Sequence, residues 1–255
     1  AGSLEERVTA RTQELSEVNA ELTRDITERR RVEAALATAN QKLMLLSQIT
    51  RHDISNRVFA MLVAIDLARD HAGKDEALMQ DFSEMEKTAH SIQAQIAFAK
   101  DYQEIGAQGP AWFPVDILIR NAAGQRDAKN IQVVTDVGDL RIHADPMIGR
   151  VFYNLIDNAI RHGGHVSRIT FSTRPEGTSL VIICEDDGVG VPDKDKQHIF
   201  SKGFGRDSGL GLFLIQEILA ITGITIRETG EYGRGARFEI TVREGQFQAG
   251  TTPSP

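Results

Sequence analysis

The first fifty positions of the chain carry apolar residues at a spacing of seven. Because a seven-residue repeat keeps one side of a helix against a partner helix, this pattern predicts a coiled coil over residues 1–46. Asp25 and Arg29 interrupt the apolar seam and are expected to weaken it midway. One frame of the repeat contains Val8, Leu15, Leu22, Arg29, Leu36 and Leu43, and the interleaved frame contains Leu4, Arg11, Val18, Asp25, Val32, Ala39 and Leu46.

The helical pattern continues beyond the coil and then reverses. Apolar positions spaced by three and four run on to Ala68, break near Gly73, and resume from Leu78 to Tyr102. Two helices joined by a short loop predict an antiparallel hairpin over residues 47–108. Each helix has an apolar stripe too broad for one partner, so we expect two hairpins to associate as a four-helix bundle in a homodimer.

After a linker at residues 109–114, which contains Gly and Pro, helices and strands alternate. Interspersed helices and antiparallel hairpins predict an α+β sandwich over residues 115–245, in which helices cover one face of a sheet. The polar tail, residues 246–255, has the composition of a disordered end. The predicted helices are 115–128, 146–162 and 210–221, and the predicted strands are 132–136, 141–144, 167–173, 179–186, 224–228 and 236–242.

Composition narrows the class of protein. The 255 residues suit two or three modules, and 41% hydrophobic with 25% charged residues allow a packed core. A formal net charge of −7 argues against nucleic-acid binding, which requires a concentrated basic face. The single cysteine, Cys184, excludes an intramolecular disulfide and suits a reducing cytosol. No run of about 18 apolar residues is present, so we expect no segment to span a bilayer.

The first candidate for chemistry is the segment Arg51–Asn56. In a helix, His52 and Asn56 lie one turn apart on the same face, and Asp53 follows the histidine directly. The carboxylate could fix the tautomer of the imidazole and leave its other nitrogen free as a nucleophile or base. Taken alone, the same residues also fit an ordinary polar patch on a helix surface.

Two further groups of polar residues and glycines lie about a hundred residues downstream. Asn154 and Asn158 share one face of the predicted helix 146–162, and Asn158 could offer its amide oxygen to Mg²⁺. Asp186 ends an apolar strand and precedes Gly188 and Gly190, so that a flat ligand can approach the backbone and present its amino group to the carboxylate. A plain turn after a strand fits the same Asp and Gly residues.

A third downstream group, Ser208–Leu212, opens the predicted helix 210–221 with a Gly-Leu-Gly sequence. Free N–H groups at the beginning of a helix favour phosphate oxygens, and glycine lets the phosphate approach the backbone. A polar loop separates this group from the glycines that follow Asp186. The three groups in this order are more specific than any one of them.

In this order the motifs resemble the conserved boxes of sensor histidine kinases of two-component signalling. The resemblance covers residues 47–243 and implies an ATP-binding domain of the GHKL, or Bergerat, type after the helical hairpin. The coil resembles the signalling helix that joins a sensory module to such kinases. Arg51–Asn56 resembles the phosphoacceptor box, Asn154–Asn158 the N box, Asp186–Gly190 the first glycine box, Ile199–Phe204 the phenylalanine box, and Ser208–Leu212 the second glycine box.

The resemblance implies a role for each matching residue. His52 would be phosphorylated, Asp53 would act as its base or orient it, and Asn56 would position water to dephosphorylate a partner protein. Asn158 would hold Mg²⁺, and Asp186 would bind adenine. The remaining nucleotide site would comprise Asn154 from the N box, Gly188, Gly190, Gly209 and Gly211 as hinges of a lid, Phe200, Phe204 and Leu210, and Arg161, His162 and Lys202 as phosphate contacts.

The resemblance also implies cofactors and partners. These are ATP and Mg²⁺, a second copy of the chain, the receiver domain of a response regulator, and an upstream sensory domain outside this chain. The resemblance further implies a cytoplasmic location. This holds also if the chain is the cytoplasmic portion of a membrane-bound receptor. Two other classes stay open: another GHKL-superfamily ATPase, which shares the nucleotide motifs but does not need the His52 segment, and a catalytically silent coiled-coil scaffold.

Overall fold

The computed structural model describes residues 2–71, 75–125, 131–204 and 209–250. The chain divides into two compact units, Ala1–Phe59 and Ala60–Pro255. No helix in these described ranges is long and apolar enough to cross a membrane.

The first unit lies entirely within one long helix, α1, which spans Gly2–His71. The sequence between Gly2 and Gly73 contains no glycine or proline, so no residue there interrupts the helix. Its apolar seam is exposed, with Leu22 and Leu43 at 51% and 64% of their full accessibility. A helix with an exposed seam of this length is stable when a partner covers it. The predicted helix is confirmed, and its pairing stays a prediction.

The second unit begins with the last turns of α1 and with α2, which spans Glu76–Glu104. The side chain of Asp75 caps α2 by accepting hydrogen bonds from the backbone N–H groups of the second and third following residues, at 3.0 and 3.2 Å. Arg69 donates to Glu86 at 2.6 Å, and Ile65 and Ala89 are buried. These contacts join the two helices as the predicted hairpin requires. Its loop, near Gly73, lies outside the described residues.

Residues 111–250 are named here the sheet domain, and their described part contains two sheets and three helices. One sheet has five strands in the order β2-β4-β5-β7-β6, and the other has three in the order β1-β3-β8. The strands are β1 (Ala111–Pro114), β2 (Gln132–Asp136), β3 (Leu140–Ala144), β4 (Arg168–Glu176), β5 (Ser179–Asp186), β6 (Thr225–Glu228), β7 (Arg237–Val242) and β8 (Phe247–Ala249). The helices are α3 (Val115–Gly124), α4 (Ile148–His162) and α5 (Gly211–Ala220).

The core of the sheet domain lies between the helices and one face of the five-stranded sheet. Alternate residues of each strand face the helices, as the two-residue period of a strand requires. Phe152 on α4 meets Phe171 on β4 edge to face at 5.9 Å between ring centroids. Both rings are fully buried, as are Ile156 and Leu155 on α4, Ile182 on β5, Ile215 and Ile218 on α5, and Ile240 on β7. The predicted α+β sandwich is confirmed.

The other face of the sheet is covered by charged side chains. Glu239, at the centre of β7, is buried because it accepts hydrogen bonds from Arg227 at 2.7 Å and Arg237 at 3.1 Å. Arg237 also donates to Glu185 on β5. A buried carboxylate requires such partners.

Two short strands correct the sequence prediction. Part of the predicted linker, Ala111–Pro114, forms β1 along one edge of β3, and part of the predicted tail, Phe247–Ala249, forms β8 along the other edge. Both segments are ordered by backbone pairing with β3, which a short segment without alternating residues does not reveal. The predicted helix 115–128 becomes α3, which ends at Gly124; residues 126–130 lie outside the described part, as do residues 251–255 of the predicted tail.

Candidate active site

A cavity of about 630 Å³ lies against α4, the loop after β5 and the beginning of α5. Helical spacing places Arg150, Asn154 and Asn158 on one side of α4, each one turn from the next. The floor of the cavity includes apolar side chains from the core, such as Leu214 and Phe238. The predicted nucleotide residues that line it are Asn154, Asn158, Arg161, His162, Asp186, Gly190, Phe204, Gly209, Leu210 and Gly211.

Two asparagine amides lack partners inside this cavity. The Nδ2 atoms of Asn154 and Asn158 are buried and have no hydrogen-bond partner among the described residues. A Cβ atom added to Gly211 would lie 3.7 Å from Asn154 Oδ1 and 3.9 Å from Asn158 Oδ1, so both amides meet the first turn of α5. An unpaired buried amide costs about 1–3 kcal/mol. A polar ligand between α4 and α5 would remove that cost.

Asp186 is held by backbone groups from two loops. Its Oδ1 atom accepts hydrogen bonds from the N–H of Gly188 at 2.9 Å and of Ala236 at 3.2 Å. Burial raises the pKa of the Asp186 carboxyl, and these two hydrogen bonds oppose that rise. Both bonds use Oδ1, and no group among the described residues donates a hydrogen bond to Oδ2. It can therefore accept a hydrogen bond from an amino group in the cavity.

The glycines of the predicted boxes permit close backbone approach. A Cβ atom on Gly188 would overlap the carbonyl oxygen of Gly163 at the end of α4. Gly190 adopts a φ of +71°, and a Cβ there would lie 2.7 Å from the carbonyl oxygen of Gly235. Gly209, with a φ of +60°, packs on the backbone of Phe204 in the same way. These close contacts require glycine at positions 188, 190 and 209. The predicted role of these glycines as hinges of a lid stays a prediction.

Three predicted nucleotide residues do not line the cavity that the described residues form. The side chain of Phe200 packs edge to face on Phe238 in the core, at 6.4 Å between ring centroids. Lys202 is exposed beyond the cavity, and Gly188 supports Asp186 through its N–H group. The neighbouring carboxylate of Asp187 is bound by Ser167 and by the N–H of Arg168.

Sequence analysis missed several residues around the cavity. Gly235 has a φ of +122°, and any Cβ there would overlap the carbonyl oxygen of Asp186. The next residue, Ala236, donates the hydrogen bond that orients the Asp186 carboxylate. The glycines at 230, 233 and 235 were the available signal for this close approach. They mark a loop that positions Asp186.

Helix α2 also contributes to the cavity, through Ala94, Ala97, Phe98 and Asp101. Phe98 and Tyr102 stack at 5.6 Å and both lie against Phe213 on α5, at 6.1 and 6.3 Å between ring centroids. Arg150 on α4 donates to Asp101 at 3.0 Å. The end of α2 is therefore packed on the sheet domain at one end of the cavity.

The phosphoacceptor candidate belongs to the first unit and lies on α1. His52 Nδ1 lies 3.5 Å from Asp53 Oδ1, and Asn56 Nδ2 lies 3.3 Å from the same ring nitrogen. The His52 side chain is 73% exposed. The predicted grouping of the three side chains is thus present in the structure. Their catalytic roles stay predictions.

Comparison with known proteins identifies the family of the sheet domain. Residues 144–246 match the family of histidine kinase-, DNA gyrase B- and HSP90-like ATPases. The alginate biosynthesis sensor protein KinB of Pseudomonas aeruginosa is 29% identical over 239 residues, which cover 86% of this chain and 39% of KinB. The chain therefore spans about two fifths of the length of that curated relative.

Two solved structures share the fold. The crystal structure of full-length ShkA in complex with AMPPNP is 17% identical, covers 81% of this chain and 46% of ShkA, and has a TM-score of 0.57. The histidine kinase AdeS of Acinetobacter baumannii is 18% identical, covers 74% of this chain and 96% of the AdeS chain, and has a TM-score of 0.52. Residues 144–246 thus match this ATPase family, and the predicted resemblance of the chain to sensor histidine kinases is confirmed.

Proposed function

We propose that this chain is the kinase portion of a sensor protein that uses ATP to phosphorylate its own His52. The observation that carries the proposal is a cavity that is lined both by Asp186 and by the unpaired amides of Asn154 and Asn158. Most residues that line this cavity belong to the segment 144–246, which matches a family of ATPases. The same chain presents an exposed histidine beside a carboxylate and an amide.

The cavity suits the adenine of ATP, its phosphates and the accompanying Mg²⁺ in turn. The Oδ2 atom of Asp186 accepts a hydrogen bond from the adenine amino group. Its Oδ1 atom accepts hydrogen bonds from the N–H groups of Gly188 and Ala236. The first turn of α5, at Gly211, offers backbone N–H groups to the phosphates. Asn158 supplies an oxygen ligand for Mg²⁺, which usually keeps few protein ligands and binds the substrate phosphates. When bound, Mg²⁺ would neutralise the phosphate charge.

The geometry around His52 favours phosphorylation on one ring nitrogen. Asp53 approaches Nδ1, so its carboxylate would accept a hydrogen bond from Nδ1–H and leave the lone pair on Nε2. Nε2 would attack the γ-phosphorus of ATP, a P–N bond would form, and the bond from this phosphorus to the bridging oxygen of the β-phosphate would break. ADP would leave with the negative charge. Positioning and charge neutralisation supply most of the catalysis in such transfers.

Labelling with γ-³²P-ATP tests the proposal. The wild-type chain should incorporate phosphate that is lost in acid and retained in alkali, as a phosphoramidate is. His52→Gln should incorporate none while ATP binding is unchanged, because the histidine lies outside the cavity-lining residues. His90→Gln is the matched control, since His90 is also an exposed helical histidine and its ring lies 3.1 Å from the side-chain amide of Gln93. ATP hydrolysis without labelled protein would contradict the proposal and support another GHKL-superfamily ATPase.

The phosphoryl group would then pass to an aspartate of a response regulator, and Asn56 would serve the reverse, dephosphorylating reaction. Its amide lies one turn from His52, where it can orient a water molecule but is not needed for transfer from ATP. Asn56→Ala should therefore keep substantial autophosphorylation and lose most dephosphorylation of the regulator. Equal loss of both activities would show that Asn56 only supports the helix.

A second copy of the chain is the proposed partner of the helices. The seam of α1 is exposed, and α2 also exposes Leu78 and Met85. Because apolar stripes on both helices of a hairpin suit a four-helix bundle, we expect a homodimer. Light scattering coupled to size exclusion should give twice the 28.1 kDa mass of one chain. Leu22→Asp, which places a charge in the seam, should weaken that dimer.

A further inference from the structure

Residues along α4 contact the cavity in a fixed order from one of its ends to the other. Near the end of α4, Gly163 packs against Gly188, which binds Asp186, the proposed adenine contact. Asn158 and Asn154 follow toward the beginning of the helix and meet α5 at Gly211. At a rise of about 1.5 Å per residue, the next turn lies about 6 Å beyond Asn154. The side chain on that turn is Arg150.

Arg150 lines the same cavity, and a carboxylate from α2 holds it. Its Nη2 atom donates to Asp101 Oδ1 at 3.0 Å, and its guanidinium lies 5.6 Å from the centre of the Tyr153 ring. The Arg150 side chain is 41% exposed, whereas that of Asp101 is 13% exposed. The carboxylate is therefore the more deeply buried member of the pair, and the guanidinium remains accessible from the cavity.

A guanidinium in this place suits a phosphate. Its planar N–H groups bind two oxygens of one phosphate at once, as they bind a carboxylate. Arg161, the other arginine among the cavity-lining residues, is three turns nearer to the Asp186 end and is paired with Asp157 at 3.0 Å. Adenine at Asp186 and phosphates between Asn158 and Gly211 would thus place the last phosphate toward Arg150.

We propose that Arg150 binds the terminal phosphate of the nucleoside triphosphate, and that this phosphate competes with Asp101 for the guanidinium. The inference rests on the proposed binding of ATP in this cavity and adds a residue that distinguishes the triphosphate from the diphosphate. Asp101 both occupies Arg150 and places a negative charge on the wall of the cavity. It therefore opposes binding of the terminal phosphate and has little effect on a nucleotide without it.

Calorimetric titration with AMPPNP and with ADP, each with Mg²⁺, separates the two nucleotides without phosphoryl transfer. Because a charge-assisted hydrogen bond is lost, Arg150→Gln should weaken AMPPNP binding by about 10- to 150-fold and leave ADP binding unchanged. Arg150→Lys should recover part of the loss. Arg120→Gln is the matched control, since Arg120 is a helical arginine paired with Asp116 at 3.0 Å and does not line the cavity.

The second arm removes the competitor. Asp101→Asn should strengthen AMPPNP binding by up to about fivefold and leave ADP binding unchanged. In the double variant with Arg150→Gln, the same change should have a clearly smaller effect, because no guanidinium is left to release and only the charge of the carboxylate is removed. Glu104→Gln, which removes a carboxylate one turn further along α2, is the control for net charge.

The outcomes are distinct. Arg150→Gln that weakens both nucleotides by the same factor, or neither, would overturn the role of Arg150 while leaving ATP binding intact. Asp101→Asn that leaves AMPPNP affinity unchanged, or improves it equally in the double variant, would overturn the competition. A wild-type chain that binds neither nucleotide would instead overturn the proposed function, so the two failures cannot be confused.

Discussion

In the coil segment, residues 2–50, the large apolar side chains of the seam are exposed, whereas in the sheet domain most apolar side chains are buried. Leu22 and Leu43 represent the first arrangement, and Phe152 and Ile215 the second. Both regions contain apolar residues at regular helical spacing. The spacing therefore indicates which face of a helix is covered. It does not indicate whether the cover comes from the same chain or from another.

The candidate chemical groups differ in the same way. His52, Asp53 and Asn56 meet through the local spacing of one exposed helix. Asp186 depends on Gly188 two residues away and on Ala236 fifty residues away. Substitution around His52 should therefore change chemistry without changing stability. Substitution around the cavity should change ligand binding, and in the core beneath it should change stability as well.

The largest expected effect is in the core. Phe152→Ala should lower the free energy of unfolding of the sheet domain by about 3–5 kcal/mol, because it removes a fully buried ring and leaves a cavity against Phe171. The single tryptophan of the chain, Trp112, lies in β1 beside His143 and reports unfolding of this domain by fluorescence. Urea titration of the two proteins gives the difference.

Leu22→Ala is the matched test in the coil segment. Because Leu22 is exposed within one chain, the change should leave the Trp112 transition where it is and weaken only association between chains. A shift of the Trp112 transition comparable to that of Phe152→Ala would mean that the two regions unfold together. The coil segment and the sheet domain would then not differ in what stabilises them.

The next effect is at Asp186. Asp186→Asn keeps the shape of the side chain but can place an N–H₂ donor opposite the adenine amino group. A buried polar group without a partner costs about 1–3 kcal/mol, so ATP affinity should fall roughly 5- to 150-fold. Calorimetry measures the change, and the Trp112 transition serves as a control for folding. Unchanged ATP affinity would show that Asp186 does not recognise adenine.

Sequence alone predicted those features that depend on local periodicity. The long helices, the strands from Gln132 to Val242 and the helical grouping of His52, Asp53 and Asn56 follow from spacings of two, three, four or seven residues. Asp186 was recognisable because a carboxylate ends an apolar strand before two glycines. Each of these features is visible in a short stretch of sequence, within one or two helical turns or within one strand and the residues that follow it.

Contacts between distant residues were not predicted. Strands β1 and β8 are short and owe their order to β3, to which neither is adjacent along the chain. The pair of Asp101 and Arg150 joins helices that are separated by the whole first part of the sheet domain. Phe200 packs on Phe238 in the core, a contact between residues that are 38 positions apart along the chain. Such outcomes are decided by tertiary packing.

The smallest expected effect distinguishes two neighbouring carboxylates in the sheet domain. The hydroxyl of Ser167 and the N–H groups of Arg168 and Ser167 lower the pKa of Asp187 from its usual 3.8 to about 2. A carboxyl whose pKa is lower in the folded state stabilises the fold above its unfolded pKa and loses that contribution as the pH falls toward the folded value. Asp187 should therefore contribute stability at neutral pH that disappears between about pH 4 and pH 2.

Asp187→Asn tests this contribution. Since Asp187 is exposed, solvent screening should keep the loss in unfolding free energy at neutral pH below about 1 kcal/mol. The difference from the wild type should shrink as the pH falls from about 4 to 2, because protonation progressively neutralises the wild-type carboxyl. Asp186→Asn is the internal control, because burial raises the pKa of Asp186 and a neutral amide there should stabilise the ligand-free domain above its unfolded pKa. Trp112 fluorescence in urea, repeated from pH 2 to 7, should thus show shifts of opposite sign, and shifts of the same sign would contradict the assignment of the two environments.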